Sequence, residues 1–191
     1  GLWVLRMACH EQARLAHAGF NIRVAINVSV AQFRHPEFIE TVREALEDSG
    51  ASPQLIELEI TESMAMEDAD FVGAQIRRLS SLGVTMAIDD FGTGFSSLAY
   101  LQRLKVDRLK IDKSFVHDIC TDSRGRQIPE MVIQLGRKLD LTVIAEGIED
   151  ADQARALIEL GCQEAQGFLY ARPMEPQHLY AWLEGKRSEG R

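Results

Sequence analysis

The chain is short of most features that would settle its class outright. Among 191 residues there are three cysteines, Cys9, Cys120 and Cys162, an odd number with no CxxC spacing. That argues against a disulfide framework and a thiolate zinc site, and reads as free thiols in a reducing compartment, mostly small core residues. No apolar run reaches the roughly 18 residues of a membrane span, and no signal-peptide pattern is visible. Basic residues are outnumbered, 21 Lys and Arg against 29 Asp and Glu, for a formal net charge of −8. DNA and RNA backbones need a basic face, so they are poor partners. A phosphate ligand remains open, because bound cations invert local charge. The five histidines (His10, His17, His35, His117 and His178) show no metal-ligand spacing and read as surface or core fillers. Linkers and low-complexity segments are missing too. With 46% hydrophobic and 26% charged residues, the chain reads as one globular domain with a sizeable core.

What is present is a pattern. Six times a short apolar run ends in a carboxylate, an amide or a lysine: Ile22–Ser29, Leu55–Glu62, Val84–Asp90, Leu109–Asp112, Leu141–Glu149 and Ala165–Ala171. A stretch with helical spacing follows each. The expected strands are Ile22–Val28, Leu55–Thr61, Val84–Ile88, Arg108–Ile111, Leu141–Ala145 and Ala165–Tyr170. The expected helices are Leu2–Ala18 (stopped by Gly19), one opening at Pro36, Asp68–Leu82, Ser96–Leu104, Pro129–Leu139, Ala151–Leu160 and Pro176–Leu183. Asp122–Gln127 reads as a mobile connection, and 184–191 as a polar C-terminal tail after a domain spanning 1–183. Trp3 and Trp182 read as packing residues, and Met64 and Met66 as plain core.

Strands that end in polar groups, with helices between them, make a row of ligands at one end of a parallel sheet, the end that carries the chemistry in barrel enzymes. A strand buried on both faces should be apolar throughout. Glu57 and Glu59, inside Leu55–Thr61, therefore need an explanation. On one face they point into the barrel, where an acid is costly unless paired or metal-bound. The fold class is α/β, a TIM-type (β/α)8 barrel that is incomplete. Six strands are visible of eight, and a full barrel takes about 250 residues. The chain opens at Gly1 in mid-pattern, so the missing strands are expected before it, in a longer parent protein.

Six motifs come in order: Asn27-Val28-Ser29, Glu59-Ile60-Thr61-Glu62, Asp89-Asp90-Phe91-Gly92-Thr93-Gly94, Lys110-Ile111-Asp112, Ala145-Glu146-Gly147-Ile148-Glu149 and Gln166-Gly167. Together they resemble the EAL family of cyclic-di-GMP phosphodiesterases over essentially all of 1–183. Singly they say little: Asp89-Asp90 reads as a solvated turn, Lys110 as a surface lysine, and Gly92-Thr93-Gly94 as a tight turn rather than a phosphate loop. The resemblance implies a site for two Mg²⁺ or Mn²⁺ ions, with Asn27, Glu59, Asp89, Asp90 and Glu146 as ligands. Lys110 would stand beside the attacking water and the phosphate. Glu149 and Gln166 would complete the water and ligand network, with Asp112 and Gly167 toward substrate. Glu62 would brace the loop Phe91–Ser97. The glutamate of the Glu-Ala-Leu motif that names the family would lie about 30 residues before Gly1, among the two missing barrel units.

The implied reaction opens one phosphodiester of cyclic di-GMP to linear pGpG, in bacterial second-messenger signalling and biofilm regulation. Two cations about 3.5–4 Å apart neutralise such a diester and ready water. Hard oxygen donors favour Mg²⁺ or Mn²⁺ over Zn²⁺. The resemblance also implies a homodimer when complete, an upstream sensory or GGDEF-type domain, and a cytoplasmic location with a parent that is either free or membrane-tethered. A different class stays open beside the enzyme: a regulatory module that binds the nucleotide without turning it over.

Overall fold

The computed structural model describes residues 2–94, 101–121 and 124–189. Six strands form one sheet in sequence order: β1 (Val24–Asn27), β2 (Ile56–Thr61), β3 (Thr85–Phe91), β4 (Arg108–Ile111), β5 (Thr142–Ala145) and β6 (Glu164–Ala165), each pair of neighbours parallel. Among the described residues the connecting helices are α1 (Leu2–His17), α2 (Val30–Phe33), α3 (Phe38–Ser49), α4 (Glu62–Glu67), α5 (Ala69–Ser81), α6 (Lys113–His117), α7 (Gln127–Leu139), α8 (Ala151–Leu160) and α9 (Pro176–Glu189). Parallel strands laid down strictly in order, with helices between, wind as a (β/α) barrel winds. Six of them make a half-barrel.

Strand alternation divides the two faces. Ile56, Leu58 and Ile60 on β2, Met86 and Ile88 on β3, and Leu109 and Ile111 on β4 are fully buried. They share one core with Val42 and Leu46 of α3, Val72, Ile76 and Leu79 of α5, Val132 and Ile133 of α7 and Leu157 of α8. The intervening residues, Glu57, Glu59, Arg108 and Lys110, face the hollow of the sheet; Lys110 meets Glu59 across the breadth of β3, which only the concave face permits.

Local chemistry sets where the helices begin. Ser29 and Gln32 form a reciprocal cap on α2, as Asp150 and Gln153 do on α8. Thr61, Asp68 and Asp112 accept backbone N–H bonds at the starts of α4, α5 and α6. These helices place three active-end motifs at helix N-termini directly after a strand.

Several expectations need correction. The last strand is two residues long and ends before Gln166. Past it the chain still bonds the segment after β5, the Ile148 N–H donating to the Gln166 carbonyl at 3.1 Å and the Leu169 N–H to the Ile148 carbonyl at 3.0 Å, and Gly167 lies so close that an added Cβ would stand 2.2 Å from the Ile148 N and O. The polar stretch after Leu183 continues α9 to Glu189; the Arg187 guanidinium lies 5.9 Å from the centre of the Phe20 ring and Arg14 lies 5.8 Å from that of Tyr180, contacts that tie the helix to the chain around α1. The strand after Gly83 runs on through Asp89 and Asp90 to Phe91. The helix after Pro36 starts at Phe38. Helices α2, α4 and α6 fill stretches for which the sequence pattern assigns no element, α6 lying ahead of the expected connection. Trp3 is 69% exposed, because the buried stripe of α1 runs through Leu5, Cys9 and Ala13. Of the cysteines only Cys9 is buried. Lys110, which taken singly reads as a surface lysine and by the resemblance as a site residue, is buried. The expected helix Ser96–Leu104 falls mostly outside the described residues.

Among the described residues β1 and β6 each pair on one side only, and the exposed Ala25 marks the opening. Open parallel edges are templates for further pairing. Residues 1–191 expressed alone are therefore expected to self-associate, visible as a concentration-dependent rise in mass by sedimentation velocity. A monodisperse monomer that unfolds in one cooperative step would contradict this.

Candidate active site

The carboxyl ends of β2, β3, β4 and β5 converge on one ammonium group. Lys110 Nζ lies 2.6 Å from Glu59 Oε1, 2.6 Å from Glu146 Oε1 and 3.2 Å from Asp89 Oδ1. The Lys110 and Glu59 side chains are 5% and 4% exposed, those of Asp89 and Glu146 13% and 15%. Burial raises the Glu59 and Glu146 carboxyls above the ordinary carboxylate range; Lys110 pulls both back and neighbouring acids push them further up. Burial alone would lower the Lys110 ammonium, but its bonds to Glu146 and Glu59 outweigh that and the net direction is up. The lysine is thus held charged by the acids it neutralises.

A bulge adds a further acid. Pairing of β3 with β4 steps from Ile88–Leu109 to Phe91–Ile111, so β3 carries one residue more than its partner. Asp90 takes up the extra length at φ 55°, a left-handed conformation that Asp tolerates at a cost on the order of 1–3 kcal/mol. Consecutive strand residues normally point to opposite faces. The bulge cancels that rule, and carboxylate oxygens of Asp89, Asp90 and Glu146 come within 4.8 Å of one another. Burial, then Asp89 and Asp112, raise the Asp90 carboxyl. Asp112 itself is pushed up by burial, but the Ser114 hydroxyl and amide, which it caps, turn the net direction downward.

Glu62, buried at the start of α4, accepts the Gly92 N–H at 2.8 Å and the Gly94 N–H at 3.3 Å, so the loop after Asp90 hangs on the segment that carries Glu59. Gly92 sits at φ 102° with the Phe115 ring 3.0 Å from where a Cβ would be, which admits only glycine comfortably. Gln166 Nε2 donates to Glu146 Oε1 at 2.6 Å. Glu149 stands apart from the acid cluster: with Gln166 and Gly167 it lines an adjoining open cavity of about 590 Å³. Asn27 is exposed and lies opposite Glu59 in the β1–β2 register.

The structure thus brings Glu59, Asp89, Asp90, Lys110, Glu146 and Gln166 together, holds Glu62 and Asp112 around them, and leaves Asn27, Glu149 and Gly167 at the rim. Sequence reasoning missed the rest of the cavity wall, Lys113, Phe168, Arg172, Pro173 and Met174, with the Arg172 guanidinium 4.8 Å from the centre of the exposed Phe168 ring. Their signal was faint: large apolar residues and an arginine directly after Gln166-Gly167.

The EAL domain family matches residues 1–173. The bifunctional diguanylate cyclase/cyclic di-GMP phosphodiesterase MucR of Pseudomonas aeruginosa is 45% identical over 185 residues, 95% of this chain and 27% of MucR. The chain spans about a quarter of the length of the curated relatives it matches. The solved c-di-GMP complex of the PaMucR phosphodiesterase superimposes with a TM-score of 0.91 at 42% identity, covering 94% of this chain and 73% of that one. A manganese/cy-diGMP complex of Klebsiella pneumoniae BlrP1 does so with a TM-score of 0.81 at 29% identity, over 90% of this chain and 44% of that one.

Lys110 is the cation that the acid cluster shares. Replacing it by methionine leaves buried carboxylates uncompensated, and Lys110→Met is expected to destabilise the metal-free protein by about 3–5 kcal/mol, read by urea unfolding. Millimolar Mn²⁺ is expected to restore part of the loss. Unchanged stability without metal would refute the assignment.

Proposed function

The chain belongs to the EAL domain family, and on that premise we propose that it hydrolyses one phosphodiester bond of cyclic di-GMP to give linear pGpG. The observation that carries the reading is the cluster at the strand ends, where Glu59, Asp89 and Glu146 surround Lys110 and Asp90 stands within 4.8 Å of Asp89 and Glu146, leaving a formal charge of −3. Such a surplus at a sheet's active end suits divalent cations, and the donor set is oxygen alone, the choice of Mg²⁺ or Mn²⁺. Asn27, Glu59, Asp89, Asp90 and Glu146 would hold two such ions. When bound, they supply charge neutralisation of the diester and a more acidic water.

The chain's own groups do the rest. With its carboxylate partners engaged elsewhere, the Lys110 ammonium is free to meet negative charge growing on the phosphoryl oxygens. Gln166 fixes the Glu146 carboxylate through its 2.6 Å bond. Glu149, which lines the same cavity as Gln166, would orient water. The cavity with Phe168 and Arg172 offers an apolar wall and a stacked cation to a guanine arm. The water oxygen forms a bond to phosphorus as the bond to a ribose oxygen breaks. That oxygen leaves with a proton, and the ring opens once.

The parent protein is proposed to act in the cytoplasm as a homodimer, with a sensory or GGDEF-type domain upstream, and the phosphodiesterase domain to span 1–183. One observation favours a second reading, binding without turnover: the described sheet has six strands and two open edges. Hydrolysis by residues 1–191, measured beside the intact protein, separates the two. Turnover by the intact protein alone identifies an enzyme whose barrel needs further strands. Nucleotide binding without pGpG in both identifies a regulatory module.

In the intact protein Asp89→Asn is expected to lower turnover by more than the roughly 10–100-fold that loss of an outer-shell partner costs, with circular dichroism and melting unchanged. Near-normal pGpG formation, followed by chromatography with Mn²⁺, would remove Asp89 from the site.

A further inference from the structure

Beneath the acid cluster lies a second charged layer that the proposed reaction does not use. Glu57 and Arg108 stand two residues before Glu59 and Lys110 on the same strands and the same inner face. Both are buried, at 2% and 5% exposure. Arg108 spans the hollow: its Nε lies 2.9 Å from Glu57 Oε2 on β2, and its Nη2 bonds Glu164 Oε2 on β6. The contact to Glu57 is a charge contact rather than an aligned hydrogen bond, since both Arg108 Nε and Glu57 Oε2 are buried without one. The remaining cation on Glu57 is Arg23, 3.7 Å away and 35% exposed. Burial raises the Glu57 carboxyl above the ordinary range, and Arg108, Arg23 and, from the layer above, Lys110 pull it back toward the charged form.

Glu57 is thus a buried anion with capacity for another donor, next to a lysine on a flexible stem. We infer that Arg108 is a positioning residue: by occupying Glu57 with a guanidinium anchored on Glu164, it keeps the Lys110 ammonium in the upper layer with Glu59, Asp89 and Glu146. A guanidinium suits this task because its rigid fork can hold two carboxylates on strands far apart, whereas an ammonium would serve either acid equally well. Without Arg108 a buried charge would need a new partner; Arg23 reaches it at 3.7 Å from the partly exposed side, and Lys110, buried in the layer above on the same inner face, is the cation that can turn to it from within the hollow. The inference rests on the proposed reaction only where it concerns turnover. The position of Lys110 stands independently of it.

The test compares wild type, Arg108→Met, Arg108→Lys and the double variant E57Q/R108M, each in the intact protein. In a crystal structure of Arg108→Met, Lys110 Nζ is expected within ion-pair distance of Glu57. Its departure leaves the upper cluster more negative, so Mn²⁺, titrated without nucleotide, is expected to bind at least as tightly as to wild type. Turnover falls roughly 10–100-fold, the range for loss of an outer-shell partner, mainly in kcat. Arg108→Lys keeps a charge beside Glu57 and retains most activity, and E57Q/R108M, in which the buried anion is gone and the remaining acid, Glu164, is half exposed to water, recovers it. Simple damage to the barrel would instead weaken Mn²⁺ binding, and the double variant would not repair it. Lys110 still on Glu59, Asp89 and Glu146 in the Arg108→Met structure would overturn the inference, as would weakened Mn²⁺ binding. A wild type that binds Mn²⁺ but yields no pGpG would refute the proposed reaction, while the crystal structure and the Mn²⁺ titration would still decide the role of Arg108.

Discussion

Concentrating negative charge where water is scarce is the constraint that shapes this half-barrel. Four carboxylates at the strand ends cannot share a small space in the ionised state without cations. The lysine on β4 supplies one, and everything around it keeps the arrangement from relaxing. Gln166 holds Glu146 from one side, the bulge in β3 turns Asp90 inward, and Glu62 ties down the loop that follows. The apolar face does the opposite work. Its isoleucines, leucines and valines pack against helices with no polar exceptions on β2, so the sheet has a firm back from which to present an expensive front.

Much of this was legible in the residues. Glu59 declared itself, because an acid inside an apolar run demands a partner. Asp89, Glu146 and Gln166 followed from the strand-end pattern, and the sequential parallel order from the alternation of strands and helices. Glu57 was flagged by the same logic, yet its partner was not, since an ion pair between strands two apart in the sheet leaves no trace in local spacing. Lys110 looked superficial because Arg108-Leu109-Lys110-Ile111 alternates as any half-exposed strand does; that its polar side faces inward depends on closure of the sheet, a nonlocal fact.

Other errors have equally specific causes. Continuing the last strand to Tyr170 trusted the apolar residues Phe168 and Leu169, but after Gly167 the backbone closes a turn, the Tyr170 N–H donating to the Gly167 carbonyl at 3.1 Å. Treating the residues after Leu183 as a polar tail trusted their charge. A long arginine stem laid over Phe20 lets a polar stretch remain a docked helix. Trp3 reads as a packing residue, while the stripe of α1 places it outward.

The single additional residue in β3 has a consequence for how such a domain could be silenced. Both aspartates reach the cluster only because the strand is one residue too long for its neighbour. Deleting Ile88, which spares both carboxylates, would remove the surplus residue, straighten the pleat and set Asp89 where Ile88 stood, on the apolar side. Length, as much as composition, therefore encodes this site. A lineage could lose it through one missing codon while keeping every acid in its alphabet.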